Sequence, residues 1–267
     1  METGKANKYI GRALNFERSE DYHLILEISL NQLTIILLNT NSTIEFYKDI
    51  RVENNLTNIF NNEKILQLKY HKTTITFSNF SYTLVPNDLF VNEHSKEILE
   101  FSSDISDIIK LEKIREIDSM LIYSISEEIE NLVSNFFPSA TLKPQQSILI
   151  EQYVQTNNKL DNAYLFFNEN IINITIFKDE KLVFSNAFIF KTKEDVLYYI
   201  LFTFEQLNIS TESVRVKLYG HIVKNEEIYK QLYDYIRNIE FGINTTKIKL
   251  PTEMNLLENH QLQGLFN

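Results

Sequence analysis

Cysteine and tryptophan are absent from the 267 residues. Without cysteine there are no disulfides, thiolate metal sites or cysteine nucleophiles. Basic residues are in deficit: 26 Lys and Arg stand against 36 Asp and Glu, a formal net charge of -10. Such a surface repels phosphate backbones, which speaks against a nucleic-acid partner. Long apolar runs are missing too. No stretch reaches the ~18 apolar residues of a membrane span, and the run Ile35 to Leu38 is flanked by Thr34 and Asn39. The N-terminal residues are polar and lack the apolar core of a secretory signal. The expectation is a cytoplasmic protein with no membrane-inserted segment.

Glycine is the most telling scarcity. There are five, Gly4, Gly11, Gly220, Gly242 and Gly264, and none lies between Gly11 and Gly220. A phosphate-cradling loop needs glycine, because its backbone takes positive φ and approaches the ligand closely. The long glycine-free interval therefore holds no such loop of ordinary design.

What is present is a β-rich, aromatic chain, 43% hydrophobic with 19 Phe and 14 Tyr. That is enough for one large core or two modest ones. Residues 1–20 read as a flexible arm or short edge element. Tyr22 to Leu30, Gln32 to Leu38 and Thr43 to Ile50 read as a meander of three strands with short turns. Ile65 to Tyr70 and Thr73 to Phe77 predict a hairpin, and Tyr82 to Val85 a short strand stopped by Pro86. Ser126 is a good N-cap, and Ile129, Leu132, Val133, Phe136 and Phe137 follow at helical spacing until Pro138. Ser147 to Tyr153 reads as a strand, and the polar stretch from Gln155 to Asp161 as the boundary between halves.

The second half repeats the plan. Tyr164 to Phe167, Ile171 to Phe177 and Leu182 to Phe190 predict strands, and Thr192 with Asp195 starts a helix in the manner of a capping box. Val214 to Tyr219 predicts a strand, Asn225 a helix cap, and Phe241 to Leu250 a last strand before a short helix and frayed tail. NQLTIILLNTNSTIEFYKDI and NIINITIFKDEKLVFSNAFI share one pattern at an offset of about 139 residues. Duplication explains this, and so does the chance likeness of two hairpins.

The segments LTIILLN, YTLVPNDLF, YSISEEIENLVSNFFP, YLFFNENIINITIFKDEKLVFSNAFIF and DVLYYILFTFEQLNI together resemble an uncharacterised bacterial family with an actin-like ATPase fold. The likeness covers about residues 20–250 and extends distantly to actin-like proteins of pilus assembly, type II secretion and cell division. It implies an α/β, duplicated ribonuclease-H-like fold: two lobes of mixed five-stranded sheets with flanking helices. The expected lobes are 21–155 and 162–250, followed by a tail at 251–267. It also implies a nucleotide cleft built from a turn opening each half and a late pair of glycines. The first turn here is Ser29-Leu30-Asn31-Gln32, with neither aspartate nor glycine. The second is Asn168-Glu169-Asn170, and the third position, Tyr219-Gly220-His221, keeps one glycine. Ser29, Asn31, Asn168, Asn170 and Gly220 are thus expected to be vestigial nucleotide-loop positions. Asparagine can hold a tight turn, but a turn alone does not restore phosphate chemistry. The expectation is a pseudo-ATPase with no catalytic residues, no metal and no cofactor.

Other chemistry is weakly signalled. A two-metal nuclease needs converging carboxylates, and Glu27, Glu151, Asp161 and Asp195 are the candidates, Asp195 being more simply a cap. His23, His71, His94, His221 and His260 show no metal spacing. Tyr198, Tyr199, Phe202 and Phe204 make one helix apolar nearly all round, which predicts burial, with a protein-binding or self-associating surface as the alternative. Tyr229, Tyr233 and Tyr235 on the next helix flank its core stripe, so some should be exposed. The function expected is a non-enzymatic scaffold or adaptor that contacts an unidentified protein partner. A weak nucleotide binder or ATPase with an atypical cleft is the alternative.

Overall fold

In the computed structural model, residues 8–53, 55–78, 81–101, 108–156 and 161–265 are described. The first seven residues of the expected arm, residues 157–160 of the expected boundary and the last two of the tail lie outside them. The first half runs β1 (Lys8–Ile10), β2 (His23–Ile28), β3 (Gln32–Leu38), β4 (Ile44–Arg51), α1 (Leu56–Asn62) and β5 (Lys72–Phe77). It continues through β6 (Tyr82–Pro86), α2 (Ser95–Glu100), β7 (Ile108–Ile114), β8 (Ser119–Ile125), α3 (Glu127–Phe136), β9 (Thr141–Pro144) and α4 (Gln145–Thr156). The second half holds β10 (Asn162–Asn168), β11 (Ile171–Lys178), β12 (Lys181–Ile189), α5 (Lys193–Gln206), β13 (Arg215–Gly220), α6 (Glu227–Tyr235) and β14 (Asn238–Phe241).

Two sheets share one topology. The first has the order β1-β4-β3-β2-β5-β9, the second β12-β11-β10-β13-β14. In each, three antiparallel strands are followed by two that run parallel to the first. Apart from β1 on the edge, the two orders are the same, so the repeated sequence pattern is a repeat of topology. A separate antiparallel sheet, β6-β8-β7, is inserted in the first half.

Local sequence explains the helices that position these sheets. Ser126 caps α3 by accepting from the Ile129 N–H. Thr192 and Asp195 form a full capping box on α5. On the first sheet, Leu24, Leu26, Leu33, Ile35 and Leu37 face α1 and α3 through Phe60, Leu132 and Val133. The alternate residues Ile25, Ile36 and Tyr47 pack under Ile248, Met254, Leu262 and Leu265 from the end of the chain. The second sheet packs Leu165, Ile174 and Val216 against Val196, Ile200 and Phe204 of α5. Its other face meets α4 through a ring cluster in which Tyr153 stacks on Tyr164 at 4.3 Å.

Several expected elements differ. Ser147 to Tyr153 is not a strand but the middle of α4, which lies between the two sheets and is buried on several sides. A short apolar run has the same pattern in a buried helix and a buried strand. Ile65 and Leu66 sit in a 3₁₀ turn, Lys64–Gln67, and β5 pairs parallel with β2, so there is no hairpin there. The last strand ends at Phe241, leaving one isolated bridge from Lys249 to Thr43. The cap of α6 is Glu226 rather than Asn225. His260, Leu262 and Leu265 in the tail are buried rather than frayed. Around α5, Val196, Ile200 and Phe204 are buried, but Tyr198 and Phe202 are 59% and 47% exposed and stack on each other. One helix face is enough to cover the sheet, so the expectation of burial all round is corrected.

Candidate functional site between the lobes

The β2–β3 turn and the β10–β11 turn face each other where the lobes meet. Equivalent positions follow from the registers: Ile28 pairs with Leu33 as Phe167 pairs with Ile172. Ser29 thus corresponds to Asn168, Leu30 to Glu169 and Asn31 to Asn170. After the parallel neighbour, Ser78 corresponds to His221.

Glu169 takes a left-handed backbone, φ 49°, and reaches across to the first turn. Its carboxylate accepts from the Ser29 hydroxyl, from the Asn31 side-chain amide at 2.8 Å and from the Asn31 backbone N–H at 3.2 Å. Three donors of one lobe are therefore held by a carboxylate of the other. Charge-assisted hydrogen bonds of this kind are the stronger sort.

Beneath this clamp lies a closed ring of four side chains. Gln145 Nε2 donates to Glu27 Oε1 at 2.6 Å, and Asn168 Nδ2 donates to the same oxygen at 2.9 Å. Asn168 also donates to Ser78 Oγ at 2.7 Å, and the Ser78 hydroxyl donates to Gln145 Oε1 at 2.9 Å. Glu27, Gln145 and Asn168 are buried. Burial pushes the Glu27 carboxyl above its ordinary value. The His221 charge and the Gln145 hydrogen bond oppose that shift, and Asp49 and Glu169 add to it. The ring draws on β2, the end of β5, the start of α4 and the second turn, so it ties both lobes to the helix between them.

Of the five positions singled out in the sequence, Ser29 and Asn31 carry the clamp and Asn168 the ring. The side-chain oxygen of Asn170 is buried without a partner. Gly220 has φ +76°, and a Cβ there would lie 2.1 Å from the Phe167 carbonyl oxygen. The His221 N–H donates to that same carbonyl at 2.7 Å. Gly220 is thus required by strand packing as it stands, whatever else it does. Sequence reasoning missed Glu169, Gln145 and Ser78. The one signal for Glu169 was an acidic residue in a turn that faces a turn of donors, and the facing is visible only in three dimensions.

The four carboxylates considered for metal do not converge. Glu27 is in the ring, Glu151 pairs with Lys143 at 3.0 Å, Asp195 caps α5, and Asp161 precedes β10. Among the described residues no group of three or more acidic or histidine side chains could hold a metal ion. No described helix is long and apolar enough to cross a membrane.

Comparison with known proteins agrees with this architecture. A family model described as "Protein of unknown function (DUF3822)" matches residues 12–239. No curated protein matches. A solved protein from Bacteroides thetaiotaomicron VPI-5482, described as having an actin-like ATPase fold and unknown function, is similar at 21% identity and TM-score 0.74. The match covers 85% of this chain and 92% of that one. A structure titled as the PilM–PilN type IV pilus biogenesis complex is similar at 12% identity and TM-score 0.57, covering 91% and 96%. These likenesses establish the fold: a duplicated, actin-like ATPase architecture with two lobes.

Proposed function

The chain belongs to the family described as protein of unknown function (DUF3822), and on that premise we propose that it is a non-enzymatic scaffold or adaptor, a pseudo-ATPase acting through protein–protein contacts. The observation that carries the reading is the Glu169 carboxylate on Ser29 and Asn31. An internal anion sits on the donors that a phosphate would need. The neighbouring Asp49 adds negative charge, which disfavours a nucleotide further. The solved PilM-type relative is titled as a complex with a second protein, which supports a protein partner. The exposed, stacked Tyr198 and Phe202 suit such a contact, since aromatic rings are favoured at interfaces. We assign the protein to the cytoplasm, with lobes at 21–155 and 162–250, and with neither a nucleic-acid partner nor a cofactor.

The test is thermal unfolding with ATP and magnesium. A ligand held 100-fold above its Kd stabilises by about 2.7 kcal/mol, and the expectation is no shift. A clear shift in the wild-type protein would overturn the reading in favour of a weak nucleotide binder. That second reading draws on the same three donors, which form an anion site once Glu169 is removed. Glu169→Ala with a new nucleotide-dependent shift, absent from the wild type, would identify the carboxylate as the block.

A further inference from the structure

At the opposite end of β2 and β3 from the clamp, five segments surround a polar basin. They are the start of β2, the β3–β4 turn, the loop entering β5, residues 244–249 and the final 3₁₀ turn. Two adjoining cavities of about 400 and 490 Å³ share Thr40, Ser42 and Lys247 on their walls. Lys72 and His71 line one side and Lys249 the other.

Lys48, Lys110, Lys143 and Lys193 each pair with a glutamate, while other lysines such as Lys64 and Lys230 stand singly and without an ion pair among the described residues. Lys72, Lys247 and Lys249 form no ion pair among the described residues. One carboxylate, Asp21, reaches the rim, and it is already paired with Arg18 at 2.5 Å. The basin therefore collects positive charge that the protein itself leaves unanswered. His23 on the wall reports the same field. Burial and the charges of Lys72 and His71 bring its pKa down to about 4. The turn is rigid: Asn39 Oδ1 accepts from the N–H groups of Asn41 and Thr43, and Ser42 is held at φ 60°. Thr40 and Ser42, both hydroxyl residues of this turn, line the two cavities together with Lys247.

We propose that this basin binds a phosphate-bearing anion, held by Lys72, Lys247 and Lys249 with hydroxyl donors from the β3–β4 turn. Ammonium groups act as point charges on phosphate oxygens, and hydroxyls complete the shell as donors. The site is far along the strands from the clamp, so it stands independently of the adaptor reading. The phosphate group can arrive free or on a lipid headgroup, and the two sources are separable.

The experiment is NMR titration of the whole chain with inorganic phosphate, alongside flotation with phosphatidylcholine vesicles with and without phosphatidic acid. The expected result is saturable shifts at Thr40, Ser42 and His71, weakened by added salt. The double variant Lys72→Gln/Lys247→Gln should weaken binding by about tenfold or more, while Lys64→Gln/Lys230→Gln leaves it unchanged. These four lysines include no core residue, so each variant should fold. Binding confined to phosphatidic-acid vesicles, and lost in the first double variant, supports the lipid source. Free phosphate binding lost in that variant supports the soluble source. No binding in either arm, or binding that survives Lys72→Gln/Lys247→Gln, overturns the proposal.

Discussion

The two lobes have the same strand order and opposite chemistry at the place where they meet. In the first, the strand before the turn carries Glu27, flanked across the sheet by Thr34 and Thr76. In the second, the equivalent Phe166 is flanked by Asn173 and Tyr219 and packs in a cluster with Leu149 and Tyr153 of α4. The first turn supplies donors and the second an acceptor. A repeated fold has become a two-part lock, because each half keeps the backbone and only one keeps each polarity. Symmetric turns would present like charges or like donors to each other. The asymmetry is what lets one carboxylate of the second lobe hold three donors of the first.

Phe166→Ala should cost about 3–5 kcal/mol by leaving a cavity under α4, measured as a fall in urea midpoint with unchanged slope. Glu27→Leu, at the equivalent position, should cost about 3 kcal/mol, because the Gln145 and Asn168 amides lose their shared acceptor while buried. If Glu27→Leu proved neutral, the ring would be no tie between lobes.

Glu27→Gln sharpens the contrast by keeping an acceptor oxygen and removing the charge. The new amide lies beside Thr76, whose buried hydroxyl has no partner. The Glu27 pKa is raised in the folded state, so the folded protein binds that proton more tightly than the unfolded chain does. The stability this gives is complete below the ordinary value of 4.5 and is lost as pH rises through the raised value. The variant lacks this loss. It should gain on the wild type as pH rises above 4.5 and through the raised value, and parallel stability curves over that rise would refute the assignment. The smallest effect is at the clamp. Glu169→Gln should cost about 1 kcal/mol, because the site is partly open to water. Faster amide hydrogen exchange at Asn31 is the more sensitive reading.

Much of the fold was legible because it is local. Ser126, Thr192 and Asp195 announce helix starts through their own side chains, and the β-meanders alternate or run apolar within single segments. The strands that bracket both turns were legible as single apolar runs. Elements whose identity is decided by distant neighbours were not legible. α4 reads as a strand because Ile148, Leu149 and Ile150 are buried between two sheets, which erases helical periodicity. The tail reads as frayed because its few apolar residues are spaced among Asn, Glu and Gln. The clamp combines residues about 139 positions apart, and no pattern within either turn names the other as its partner.

The tail has a consequence for how the chain folds. Ile25, Ile36 and Tyr47 are covered by residues 248–265, and Gln152 Nε2 donates to the Leu265 carbonyl while Gly264 N–H donates back to Gln152 Oε1. One face of the first sheet therefore stays bare until residues some two hundred positions later have been synthesised. Contacts of that sequence separation are slow to form, and an open apolar face invites association in the interval. Translation and folding of the first sheet are out of step by almost the whole length of the chain. Refolding from denaturant, where all residues are present at once, should accordingly be cleaner than folding during synthesis.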